Sequence, residues 1–203
     1  MLLKRASSLR NRAIAPELKM KIKPHTQMAL PSFIKLKLQF SVPCLITLLL
    51  WCCVAAAGPQ TDVDVSPDGN MLIFVDSEFK PGSGPQYANL VISTLEGAQF
   101  VRSPESSQLL RLVNKPTALQ YAPTISSNKL TLYFTRFDRD SDPKGPQIYR
   151  ATRSGLGAPF RPPAHVPGLG EYVEGTALSP DERLLYFHRK DGSRFNLYAI
   201  AIP

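Results

Sequence analysis

The chain is predicted to be all-β: a partial β-propeller of about three four-stranded antiparallel blades after an N-terminal signal segment. Three observations predict it. A nine-residue phrase occurs three times, as SPDGNMLIF from Ser66 to Phe74, SSNKLTLYF from Ser126 to Phe134 and SPDERLLYF from Ser179 to Phe187. The copies align without a gap and recur roughly 50–60 residues apart, the habit of arrays built from one strand unit. Short runs able to pair as strands flank each copy. Finally, the excess charge and all the cysteines fall in residues 1–57, which separates a leader from a body at 58–203.

The leader comes first. The 203-residue chain has a formal net charge of +8, and residues 1–57 hold nine Lys or Arg against one acid, Glu17. The body is therefore formally neutral and lacks the basic footprint of a nucleic-acid-binding domain. Lys35 and Lys37 precede an apolar segment, Phe40–Ala57, with its core at Cys44–Ala57 and small residues, Ala55-Ala56-Ala57-Gly58, at its end. A charged start, a short apolar centre and small closing residues read as a secretory signal peptide. The run is short for a membrane span, which needs about 20 residues. An uncleaved anchor is the competing reading and would be the chain's one membrane contact. Met28 would open a compact n-region and is taken as the true start; a long natural n-region is the alternative. With Cys44, Cys52 and Cys53 all in the leader, no disulfide can brace the body. The expected location is periplasmic or extracellular.

Each repeat begins as a turn. Ser66, Pro67, Asp68 and Gly69 form the first: Pro67 presets φ, Asp68 can bond its own backbone, and Gly69 can turn left-handed. Ser126 and Asn128 carry the second turn, and Ser179, Pro180 and Asp181 the third. Lys129 and Glu182 stand where the first copy has Gly69. A left-handed residue with a Cβ costs about 1–2 kcal/mol. Those two turns are therefore expected to change type, with Asn128 as the left-handed residue of the second copy.

Strands follow from the apolar runs. Met71 to Val75 and its two counterparts are central strands. Asp62–Val65, Ala122–Ile125 and Gly175–Leu178 pair before them; Tyr87–Ser93, Gln147–Thr152 and Phe195–Ile200 pair after them. A fourth strand is expected at Gln108–Val113 in the first unit. In the second it falls within Phe160–Val166, where Pro162 and Pro163 demand an edge. In the third unit, which reaches Ile202-Pro203, no outer strand is expected. Alternatively, Ser103-Pro104-Glu105 opens a short helix through Leu112, with Ser103 as cap. Four antiparallel strands make one propeller blade; three hairpins of a β-sandwich are the rival architecture.

These units resemble the WD-repeat-like β-propeller repeats of the TolB type, found in exported bacterial proteins. The resemblance rests on Pro123-Thr124-Ile125-Ser126 with Tyr133-Phe134 and Ile148-Tyr149. It recurs in Ser179-Pro180-Asp181 with Tyr186-Phe187 and Leu197-Tyr198, and spans about Asp62 to Ile202. It implies a noncatalytic module with a protein partner in the cell envelope, gripped by loops at one mouth of the array. Propellers usually have 4–8 blades. Three units leave two apolar faces, which predicts a homodimer completing a ring, an open array, or a truncated remnant.

Chemistry is sparse. Asp138, Asp140 and Asp142 alternate in one acidic run, as carboxylates do in calcium loops. The twelfth position from Asp138 is Tyr149, not a closing acid, so a solvated hairpin tip is the competing reading. No other cofactor is expected. His165 and His188 have no metal-ligand spacing and belong to no nucleophile motif. Tyr121 and Tyr172 precede two repeats at similar intervals, where they could face a central opening or join the core. The alternative function is an accessory or truncated domain of a propeller hydrolase acting on glycans or peptides. Convergence of Asp138, Asp140, His188 and Asp191 in one pocket would favour it, and their scatter would count against it.

Overall fold

The computed structural model describes residues 18–19, 60–80, 82–139 and 144–202. Its elements, in chain order, are β1 (Leu18–Lys19), β2 (Gln60–Val65), β3 (Met71–Lys80), β4 (Gly84–Glu96), β5 (Gln99–Arg102), α1 (Ser106–Leu109), β6 (Leu119–Ile125), β7 (Thr131–Phe137), β8 (Gln147–Thr152), β9 (Ala164–His165), β10 (Val173–Leu178), β11 (Leu184–Asp191) and β12 (Arg194–Ala201). They form three antiparallel sheets, each a simple meander. The sheets are β2-β3-β4-β5, β6-β7-β8-β9 and β10-β11-β12. β1 pairs along the outer edge of β12, Leu18 opposite Ala199 and Lys19 opposite Tyr198.

The sheets stack in sequence order as blades. β6 lies against β2, β3 and β4 of the first sheet and against β10 of the third. Because side chains alternate along a strand, β7 serves both neighbours. Leu132 and Phe134 enter a core with Ile73, Val75, Leu90 and Ile92 of the first sheet. Tyr133 points the other way, into a core with Leu185, Phe187 and Tyr198 of the third. A partial propeller meets this pattern, with the central strand of its middle blade buried on both faces; a two-sheet sandwich does not. The Phe that ends the second and third phrases also stacks on a Tyr of the next strand, Phe134 on Tyr149 at 6.1 Å and Phe187 on Tyr198 at 5.8 Å.

The three turns are the same device atom for atom. In each, the Ser N–H donates to the carbonyl five residues on: Ser66 to Met71, Ser126 to Thr131 and Ser179 to Leu184, at 2.8–2.9 Å. The Ser hydroxyl donates to the side chain two residues on: Asp68 at 2.6 Å, Asn128 at 2.7 Å and Asp181 at 2.6 Å. It also accepts the returning strand's N–H from Met71, Thr131 or Leu184 at 2.9–3.0 Å. Pro67 and Pro180 sit exposed between these anchors.

The expected change of turn type does not occur. Lys129 (φ 61°) and Glu182 (φ 55°) are left-handed, like Gly69 (φ 73°). Asn128 is not the left-handed residue, because its side-chain oxygen is already engaged, by the Ser126 hydroxyl and by the N–H of Leu130 at 2.9 Å. Those bonds place the turn one residue later.

Two further expectations are corrected in the first unit. Its fourth strand is β5, reached through Gly97 (φ 62°), and not Gln108–Val113. Leu109, Leu110 and Val113 instead bury at helical spacing, along α1 and the turns after it. Ser103 does not cap α1: its hydroxyl donates to Glu105, which holds the cap position without a side-chain cap bond. This segment seals the outer edge of β4. The Asn114 amide accepts the Leu90 N–H and donates to the Leu90 carbonyl, both at 2.9 Å, and the Ser106 hydroxyl oxygen accepts the Ile92 N–H at 2.9 Å.

Candidate functional site

The two ends of the blades are built differently. At one end lie the repeated turns, tied to each other across blades: Lys129 ion-pairs with Asp68, and Glu182 accepts the N–H of Ser127. Ser66, Ser126 and Ser179 are buried there. Those bonds use the motif's polar groups for blade-to-blade structure.

The other end holds a cavity of about 340 Å³. β3 and β4 contribute Val75, Phe79, Pro85 and Ala88. β6, β7 and the turn after it contribute Leu119, Tyr121, Phe137 and Arg139. Asp62, Ser77, Pro146 and Tyr172 complete the lining. The wall is mainly aromatic and aliphatic, with Asp62 and Arg139 exposed.

Local backbone geometry creates this site. Asp62 (φ 45°), Ala122 (φ 47°) and Gly175 (φ 72°) each stand four residues before the repeat Ser, and each is left-handed. Each coincides with a bulge in the first strand of its sheet. A bulge re-aims side chains and frees main-chain groups from the ladder. Here those groups link the blades. The Ala122 N–H donates to the Asp62 carboxylate at 3.2 Å, and the Thr176 hydroxyl donates to the Ala122 carbonyl at 2.6 Å.

Both tyrosines singled out from sequence line the cavity and are half-buried. The Tyr121 hydroxyl donates to Glu174 at 2.8 Å. Burial first, and then that carboxylate, push its phenol far above the usual range, so it stays protonated and presents its ring inward. Tyr172, left-handed at φ 51°, is held on several sides. Gly145 packs so close that a Cβ there would sit 2.5 Å from the Tyr172 ring. Phe195 meets the ring edge-on at 5.7 Å, and the Lys190 ammonium lies 4.8 Å from its centre.

The other sequence candidates lie apart. Asp138 is buried and ion-paired with Lys115. Asp140 and Asp142, the rest of the proposed calcium set, lie outside the described residues. His165 bonds Gln147 at 2.9 Å through Nε2, and His188 lies over Gly175. Asp191 accepts bonds from Tyr198, Asn196 and Arg189, led by Tyr198, which lower its pKa to about 2. These groups are engaged by different neighbours, and among the described residues no three His, Cys, Asp or Glu gather as a metal site.

Sequence reading did not single out Asp62, Phe79, Phe137 or Arg139. The signal that could have found them is the bulge, but its three residues share no side-chain type; only Gly175 advertises a left-handed position.

No protein-family model and no curated protein matches the chain. Among solved structures it is similar to an endo-arabinase from Bacteroides thetaiotaomicron VPI-5482, at 13% identity and a TM-score of 0.42. The match covers 71% of this chain and 56% of that one, so the chain spans about half the length of that structure.

Proposed function

We propose that the chain is an exported, noncatalytic β-propeller-like binding module of the TolB repeat type that grips a protein partner in the cell envelope at the cavity end of its blades. The observation that carries this reading is the contrast between the two ends. The turn end uses its polar groups within each turn and between neighbouring blades. The cavity end offers an aromatic concavity on a fixed frame, the arrangement by which scaffolded loops bind. Export is supported by the basic and apolar leader that precedes the body. A binding role, rather than hydrolysis, is supported by the separate surroundings of Asp138, paired with Lys115, of His188, which lies over Gly175, and of Asp191, bonded by Asn196.

A photo-crosslinking amino acid placed at Phe79 or Arg139 should yield a discrete envelope adduct. The same residue at Pro67 or Pro180, at the turn end, should not. Equal labelling from both ends, or none from the cavity end, would overturn the proposal.

A further inference from the structure

We infer that the cavity receives one large apolar side chain from an extended segment of the partner, with a basic residue beside it on the Asp62 side and an acidic residue on the Arg139 side. This rests on the binding role proposed above and specifies its chemistry. At about 340 Å³, the cavity is at the small end of ligand sites and suits a single anchor residue. Its walls are the rings of Tyr121, Tyr172, Phe79 and Phe137. The Tyr121 hydroxyl, already given to Glu174, offers the guest a ring face and not a donor.

A sugar would bring several hydroxyls against that mainly carbon surface, and each one without a partner would cost free energy. An aliphatic or aromatic side chain meets no such penalty. Anchors of this kind, seated in concave aromatic pockets, dominate protein recognition. The opposite charges of Asp62 and Arg139 at the exposed rim then distinguish the two directions in which a segment can cross it. Three of the walls are fixed before any guest arrives. Tyr172 is packed against Gly145 and Phe195, Tyr121 is bonded to Glu174, and the Asp62 backbone is locked in its bulge. That preorganisation lowers the ordering cost of binding.

The test is a titration of the purified, isotope-labelled chain, followed by NMR, with short Gly/Ser peptides carrying Lys-X-Glu or Glu-X-Lys at their centre. With X as Trp or Leu, amide shifts should saturate around Tyr121, Tyr172 and Phe79. Affinity should be at least tenfold above that with X as Ser. Phe79→Ala, at a half-exposed rim position, should weaken binding about fivefold while the spectrum stays folded. Asp62→Asn tolerates the same backbone and should weaken the preference between the two charge orders. Equal binding of the Ser peptide, or shifts mapping elsewhere, overturns the inference. So does equal binding of N-acetyltryptophanamide, which would show that the segment around the anchor contributes nothing. If crosslinking at Phe79 succeeds while these titrations fail, the binding role stands and the anchor chemistry falls; if both fail, both fall.

Discussion

Lys129 and Glu182 hold a backbone conformation that costs a residue with a Cβ about 1–2 kcal/mol. Each also uses its side chain to reach the preceding blade's turn, at Asp68 and at Ser127. The strain and the contact therefore oppose each other at one residue. Lys129→Ala keeps the strain and loses the ion pair, whereas Lys129→Gly loses both. The glycine variant should be the more stable of the two by about 1 kcal/mol, read from urea midpoints at unchanged slope. The Ser-x-Asp anchors were legible in the sequence because their bonds span only a few residues. The left-handed position was not, because intrinsic preference favours Asn128 and the bond network overrides it.

Asp191 supplies part of the pH dependence at this scale. Its folded pKa, lowered to about 2 chiefly by the Tyr198 hydroxyl, lies below the unfolded carboxylate value of about 3.9. The unfolded chain then binds more protons between those values, so stability rises with pH there and is lost as pH falls toward 2. Asp191→Asn should flatten that part of the acid-unfolding curve. An unchanged slope between pH 4 and 2 would refute the assignment.

At the scale of elements, the strands that packing defines were readable and those that geometry defines were not. Gln147–Thr152 was expected as the strand that pairs after the central one and is β8. β5 escaped notice because Phe100 and Val101 are both exposed, so no burial pattern marks it. The Gln108–Val113 run admits both a strand and a short helix, because apolar content alone does not separate them; the structure takes the helix, over Ser106–Leu109. Its role is to finish an edge. Asn114 replaces a neighbouring strand for Leu90, giving both an acceptor and a donor. Asn114→Ala would leave those two main-chain groups without partners and should cost about 1–3 kcal/mol. Hydrogen exchange at Leu90 should accelerate more than at Val75, in the middle of the sheet.

For the whole molecule, the repeat sets which faces meet, and equivalent positions differ in how far they are covered. The residue before the repeat Ser is 3% exposed at Ile125 and half-buried at Leu178, but 45% exposed at Val65, next to Val63 at 61%. An apolar sheet face of this kind favours association. Sedimentation of the chain should show concentration-dependent self-association that Val65→Glu reduces; a mass independent of concentration would count against it. Such exposure could not be read from the sequence, where Val65, Ile125 and Leu178 look alike. The internal faces make a sharper claim. Stability in stacked repeats is a sum of units and nearest-neighbour interfaces. Phe134 serves the interface of the first two blades and Phe187 that of the last two, and both are fully buried. Either change to Ala should cost about 3–5 kcal/mol, yet the two losses should be distributed differently. Phe134→Ala should lower native-state exchange protection in β3 and β4 more than in β12, and Phe187→Ala should do the reverse. Identical protection maps would mean that the blades unfold as one indivisible unit, not as neighbours coupled through these two cores.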